Sequence, residues 1–265
     1  MSARDFLIRG LLAGLVAAFA AFGVAYVVGE PPLRAAIAQE DSTGGHSHGT
    51  ETSDSTGTEH ADADAPAAGE VEVPRSLQST LGLLTGLLVA VVTLGGLVGV
   101  VSALAMGRFG RLTPRSTTLA VTAMAFVAVY VVPFLIYPPN PPAVGSGDTI
   151  GMRSALYFIF LAISLIAAVT AVLVGRRLSG RVGGWHAALI GIAGYVLVML
   201  VVMALMPHYN EVPDTFPASI LYDFRTASFL TQLTLWTVLG VVLAEFVGRL
   251  SRTAAPERAL ADVRG

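Results

Sequence analysis

The chain has no cysteine and no lysine among its 265 residues. Without cysteine there are no disulfides, thiolate metal sites, iron–sulfur clusters or cysteine nucleophiles. Without lysine, a Walker A loop lacks the side chain that reaches the phosphates, and Schiff-base chemistry is excluded. All 16 basic residues are therefore arginines. Charge of either sign is scarce: 13% of residues are charged, against about a quarter in soluble domains. The net charge of −2 gives no reason to expect nucleic acid. No nucleophile, phosphate loop or paired intramembrane acids stand out, so a non-enzymatic role is expected.

What the chain has is apolar length. Hydrophobic residues make up 54% of it, and its mean hydropathy is +0.70. They gather into runs of about 20 or more, the length a helix needs to cross a hydrocarbon core of about 30 Å. The runs are apolar all round, unlike the one-sided pattern of a soluble surface helix. The expected fold is an all-α integral membrane protein, a six-helix transmembrane bundle with a disordered acidic external loop.

The first apolar run extends from about Phe6 to Val28. Ala36-Ile37-Ala38 resembles a signal cleavage site, but the run exceeds a signal h-region and the site lies well beyond its end. An uncleaved helix over residues 1–28 is favoured, ended by Glu30-Pro31-Pro32. Residues 29–75 hold ten acids between Glu30 and Glu72 and almost no aliphatic side chains beyond Gln39. Such a segment buries too little apolar surface to offset its ordering entropy and is expected to be disordered. A five-helix core over 76–250 follows, with runs near 77–106, 117–137, 154–175, 185–206 and 225–247, and then a cytoplasmic tail over 251–265. Gly10/Gly14, Gly82/Gly86 and Gly95/Gly99 are small-residue pairs at helical spacing, suited to close helix approach.

Arginine placement predicts orientation. With the N-terminus inside, the inner face carries Arg4, Arg9, Arg108, Arg111, Arg115, Arg176, Arg177, Arg181, Arg249, Arg252, Arg258 and Arg264. The outer face carries only Arg34, Arg75, Arg153 and Arg225. This is the positive-inside pattern, and it places both termini in the cytoplasm of a multi-pass plasma-membrane protein.

Two proline-punctuated outer segments, 137–153 and 207–225, carry most of the remaining polar chemistry. The second opens the last helix, where Arg225, Ser228, Gln232 and Trp236 share one narrow face. A polar stripe in lipid is expected to face protein or a water-filled path; gluing helices together is the plainer reading. His46 and His48 at i, i+2, with His60 beyond among acids, form a weak divalent-metal donor set or a merely solvated loop. His208 and Glu211, three residues apart, would share a face on a helical turn and reach one ion, or stand as interfacial polar residues. Formal charge inside the spans is nearly absent. An ion path would need neutral groups such as Thr85, Thr93, Thr122, Ser164, Thr170, Met199, Met203 and Gln232, or a partner's contribution.

The sequence Tyr137-Pro-Pro-Asn140-Pro-Pro-Ala-Val-Gly145, followed by Asp148-Thr-Ile150 and Arg153, resembles the CbtA family of predicted cobalt transporter subunits. So do Asn210-Glu211-Val-Pro213, Phe216-Pro217 and Phe224-Arg225-x-Ala227-Ser228-x-x-Thr231-Gln232-x-x-Leu-Trp236. The likeness runs from Phe6 to about Leu250. It implies cobalt uptake across the plasma membrane for cobalamin synthesis, with a small one-helix CbtB-like partner.

The expected function is thus a membrane subunit for uptake of a divalent transition metal, with Co²⁺ as cargo and no permanently bound cofactor. Metal contacts are expected at His46, His48, His60, His208, Glu211 and Asp214. Asn140, Asp148, Arg153, Asp223, Arg225 and Gln232 are expected to shape an outer vestibule. A homo-oligomer is among the expected assemblies. The alternative is a non-transporting membrane scaffold or accessory subunit, which the small-residue helix faces favour.

Overall fold

The computed structural model of the chain describes residues 2–43, 77–110 and 112–264. Among these, six helices are long and apolar enough to cross a bilayer: α1 Ala3–Ser42, α2 Thr80–Ala105, α3 Pro114–Ile136, α4 Gly147–Val182, α5 Gly184–Leu205 and α6 Ala218–Arg252. Helix continues beyond α6 to Arg264, so the expected tail carries on the last span's helix. No strand occurs among the described residues. The six-helix, all-α membrane fold holds. His46, His48, His60 and most of the acidic segment lie outside the described residues.

Local chemistry sets the helix ends. Ser2 and Asp5 form a reciprocal capping box at the start of α1: the Asp5 amide donates to Ser2 Oγ, and the Asp5 carboxylate accepts the Ser2 amide. Thr113 accepts the Ser116 amide ahead of Pro114, which supplies a preset φ at the first helical position of α3. Gly183, at φ +81°, makes the tight reversal between α4 and α5, a conformation that strains any side chain bearing Cβ.

Glu30-Pro31-Pro32 does not end the first helix. A π turn over Ala25–Gly29 carries it into a further α-helical stretch, Glu30–Thr43. Proline lacks the amide that a regular helix would donate backward, and it is tolerated in a first turn. The wider π turn re-sets the helix so that the prolines fall at the start of a new segment. Pro133 follows a second π turn, Val127–Val131, in α3. Here the lost backbone donor is replaced from another helix: Ser164 Oγ on α4 donates to the Ala128 carbonyl at 2.7 Å. A third π turn, Gln78–Gly82, leads into α2.

The bundle has two parts. In the first, α1 packs along α2 and α6, and α3 packs on α6. Its core joins Phe6, Ala13, Ala17 and Ala21 with Val91, Val98, Leu235, Trp236, Leu239 and Leu243. The α1–α2 seam is backbone against backbone. A Cβ built on Gly10 would lie 2.2 Å from the Gly95 carbonyl oxygen, and one on Gly99 would lie 2.5 Å from that of Phe6. Gly10/Gly14 and Gly95/Gly99 therefore serve as expected. Among the described residues Gly86 has nothing within 4 Å and Gly82 only an ordinary contact, so that pair makes no close seam with them. The second part is the α4–α5 hairpin. It joins α3 through Val132, Phe160 and Met199, and it leaves wide apolar faces exposed.

One end of the bundle gathers arginine. Glu245 on α6 is bridged by Arg115 from the start of α3, by Arg249 at 3.0 Å and by Arg252 at 3.6 Å. The Arg115 side chain lies over Gly248, where a Cβ would leave no room. The proline-rich segments lie at the opposite end.

Candidate functional site

At Tyr137 the chain leaves the helical region, because a residue before proline is pushed out of it and Pro138 and Pro139 follow. The turn then uses two positive φ angles, at Ala143 (67°) and Gly145 (115°). Gly145 has a second reason to lack a side chain: its Cβ would fall 2.5 Å from Arg153 Nη1. Ser146 next caps a short 3-10 turn, Gly147–Thr149, and α4 begins.

The second proline-rich segment meets this turn. Between Met206 and Ala218 the backbone is not helical, since Pro207, Pro213 and Pro217 interrupt the amide ladder. His208 and Glu211 therefore do not share a helical turn, and the helical pairing expected from their spacing does not form. Glu211 instead reaches across to the first segment. Its carboxylate accepts the Ser146 amide at 2.9 Å and the Thr149 hydroxyl at 2.6 Å, and it pairs with Arg153 Nη1 at 3.0 Å. The Thr149 hydroxyl first, then the Ser146 amide and the Arg153 charge, hold this carboxyl below the ordinary glutamate range.

Two further bonds latch the segments. Tyr137 Oη donates to the Pro207 carbonyl at 3.0 Å, and Arg225 Nη2 donates to Asn140 Oδ1 at 2.9 Å. Beneath them Ala36, Val144 and Phe216 form a small apolar cluster with Val212, Ile220 and Leu221. Ala36 belongs to the part of α1 that continues past the prolines, so that extension is the floor on which both turns rest.

The structure thus brings together Asn140, Arg153, Glu211 and Arg225 of the residues singled out from sequence. Asp148, His208, Asp214 and Asp223 are exposed around them. Both oxygens of Glu211 are engaged by protein donors, so it acts here as a latch between segments. Among the described residues, no three His, Asp or Glu side chains gather in a group suited to holding a metal.

Below the latched turns lies a cavity of about 340 Å³. Ala25, Gly29 and Glu30 line it from α1, Leu83 from α2, Tyr130 from α3, and Ser228, Thr231 and Gln232 from α6, with Pro139 of the first turn beside them. Ser228 and Gln232 of the polar stripe face this cavity, while Arg225 bonds Asn140 and Trp236 packs in the core. Of the neutral residues considered as path linings, Gln232 is here. Thr122 bonds the Thr118 carbonyl and packs on Gly240, while Met199 is buried in the α3–α4–α5 contact. At 1.5 Å per residue, the cavity residues lie roughly 20–30 Å along their helices from the arginine-rich end, near the far edge of a hydrocarbon core. Two of the three π turns contribute lining residues, and the third immediately precedes Leu83. Such turns recur at functional sites because they widen a helix and disturb its regular bonding.

Glu30 is the residue sequence reasoning missed. It is 5% exposed and is the one carboxylate among the cavity's lining residues. Its signal was present as an acid beside two prolines at the end of an apolar run, but that pattern reads as a helix stop.

A family model described as "Probable cobalt transporter subunit (CbtA)" matches residues 3–248, and the chain belongs to this family. No curated protein and no solved structure matches it. The family establishes a transporter-subunit role in a membrane.

Proposed function

From this family membership we propose that the chain is the membrane-spanning subunit through which a divalent transition metal, Co²⁺, enters the cell to supply cobalamin synthesis. The observation that carries the reading is the presence of two features at one end of the bundle. Two proline-rich turns, latched through Glu211, lie at the end of the bundle that holds a cavity, with Pro139 of the first turn and Ser228 and Gln232 of α6 in its lining. Exposed Asp148, Asp214, Asp223 and His208 surround the latch and would attract a cation by long-range charge. His46, His48 and His60 would raise its local concentration as weak ligands.

In this proposal the arginine-rich end faces the cytoplasm of a plasma-membrane protein, and both termini lie inside. No phosphate-binding loop is present, so the membrane potential, a gradient or another subunit drives the ion. An inward-moving divalent cation gains about 4.6 kcal/mol per 100 mV, twice the single-charge value. A CbtB-like one-helix subunit or a second copy of the chain would cover the exposed faces of α4 and α5.

A second reading, a non-transporting accessory subunit, is favoured by the scarcity of ionisable side chains along the described spans. Radiocobalt uptake into vesicles separates the two. The wild-type chain is expected to take up cobalt, and Glu211→Ala, which unlatches the turns, to lower uptake more than His208→Ala. Absence of uptake by the wild type, even with its small partner present, rejects transport.

A further inference from the structure

We propose that the cavity under the latched turns is a binding site for a hydrated divalent cation, with Glu30 supplying its charge and Arg34 serving as a displaceable counter-ion. The proposal rests on the reading of the chain as a cation-transport subunit, and it assigns the site that reading lacks.

The donors are all oxygens or amide groups. Glu30 contributes a carboxylate, Gln232 an amide, and Ser228, Thr231 and Tyr130 hydroxyls. Two of these hydroxyls have their protons committed elsewhere. Ser228 Oγ donates to the Phe224 carbonyl at 2.8 Å, and Thr231 Oγ1 donates to the Ala227 carbonyl at 2.9 Å. What remains on each is lone pairs, which accept from water or face a cation. Tyr130 Oη is buried and has no hydrogen-bond partner among the described residues, a costly state that a bound, hydrated ion would relieve. One carboxylate among neutral oxygen donors suits a divalent ion that keeps part of its water shell and leaves readily. A strong nitrogen-rich cage would hold an ion too tightly for passage.

Glu30 and Arg34 are one helical turn apart. Arg34 Nε donates to Glu30 Oε2 at 3.1 Å, yet the Arg34 side chain is 59% exposed while that of Glu30 is buried. The pair is therefore asymmetric. The carboxylate belongs to the cavity, and Arg34 lies at the solvent side, where its attraction is screened and its side chain is free to swing away. A divalent ion entering from the turns carries twice the charge of the guanidinium and competes for the same oxygens.

The site has a built-in reporter. Trp236 is 3% exposed and lies one turn beyond Gln232 on α6, a rise of about 6 Å. The other tryptophan, Trp185, is exposed, so Trp185→Phe leaves Trp236 as the sole indole. Purified Trp185→Phe protein in lipid nanodiscs is titrated with cobalt chloride, a short-range fluorescence quencher. Saturable quenching is expected, lost when Glu30→Gln is added and shifted to several-fold lower cobalt concentration when Arg34→Ala is added. Glu30→Gln preserves shape, and Arg34→Ala alters an exposed side chain with the opposite expected sign, so misfolding does not mimic the pair of results. Absence of saturable quenching in Trp185→Phe overturns the site. So does an unchanged titration with Glu30→Gln, even where vesicles take up radiocobalt, in which case transport stands and the site falls. Glu30-dependent quenching alongside absent vesicle uptake supports the site and removes the transport reading.

Discussion

The α1–α2 seam and the latched turns at the far end are both contacts between segments distant in sequence, but they are held by opposite means. In the seam, backbones touch through Gly10, Gly14, Gly95 and Gly99, and no charge takes part. In the turns, one carboxylate collects an amide, a hydroxyl and a guanidinium. The seam depends on the absence of side chains and has no tolerance for added volume. The latch depends on ionisation and on water outside the bilayer. The seam fixes helices against one another, whereas the latch gives way when its carboxylate is protonated. The difference indicates where stability resides and where regulation is available.

The largest effect is expected from adding volume to the seam. Gly10→Leu places atoms where the Gly95 carbonyl oxygen stands, and backbone cannot step aside as a side chain can. A loss of about 3 kcal/mol or more, at the upper end for overpacking, is expected. It would appear as loss of the monodisperse peak in detergent chromatography. Normal thermal unfolding of this variant would show that the seam is looser than its geometry.

The latch is next. Glu211→Gln keeps the shape but removes the charge that Arg153 pairs with, so faster proteolysis between residues 137 and 153 and between 206 and 218 is expected, without loss of the folded bundle. The pH dependence follows from the lowered carboxyl. A group whose folded value is depressed stabilises above its unfolded value and loses that contribution as pH falls through the folded one. The wild-type turns should therefore stay latched through neutral and mildly acid solution and open below the ordinary glutamate range, while Glu211→Gln lacks this acid transition. Protease sensitivity against pH, compared between the two, checks the sign.

A smaller effect tests the repair of α3. Ser164→Ala removes the hydroxyl that serves the Ala128 carbonyl, with an expected loss of about 1 kcal/mol in thermal unfolding, typical of a hydrogen bond between membrane helices. Smallest of all, Gly86→Ala meets nothing within 4 Å and should stabilise by up to about 1 kcal/mol through helix propensity alone. Set beside Gly10→Leu, it distinguishes a glycine that packs from one that does not.

Much of this was legible residue by residue. The six spans follow from apolar length, because a bilayer imposes one dimension on every helix that crosses it. The seam was readable in the spacing of Gly10/Gly14 and Gly95/Gly99, although the same spacing at Gly82/Gly86 predicts a close contact that is absent among the described residues. Spacing shows that a face is small but not that a partner lies opposite it. The stripe of Ser228 and Gln232 was visible too, since helical periodicity places it on one face whatever surrounds it.

The candidate site was less legible. Glu211 read as a metal ligand beside His208, three residues away; its partners proved to be Ser146, Thr149 and Arg153, more than fifty residues distant. Glu30 read as a terminator because proline removes an amide, a local rule that does not anticipate a π turn. What the sequence alone determined was the number of crossings, the faces that tolerate contact and the side chains on offer, since these follow from hydrocarbon thickness and helical period. Only the tertiary structure decided which carboxylate latches the turns and which lines the cavity, because that depends on donors brought from other helices and on burial, neither of which a local pattern contains.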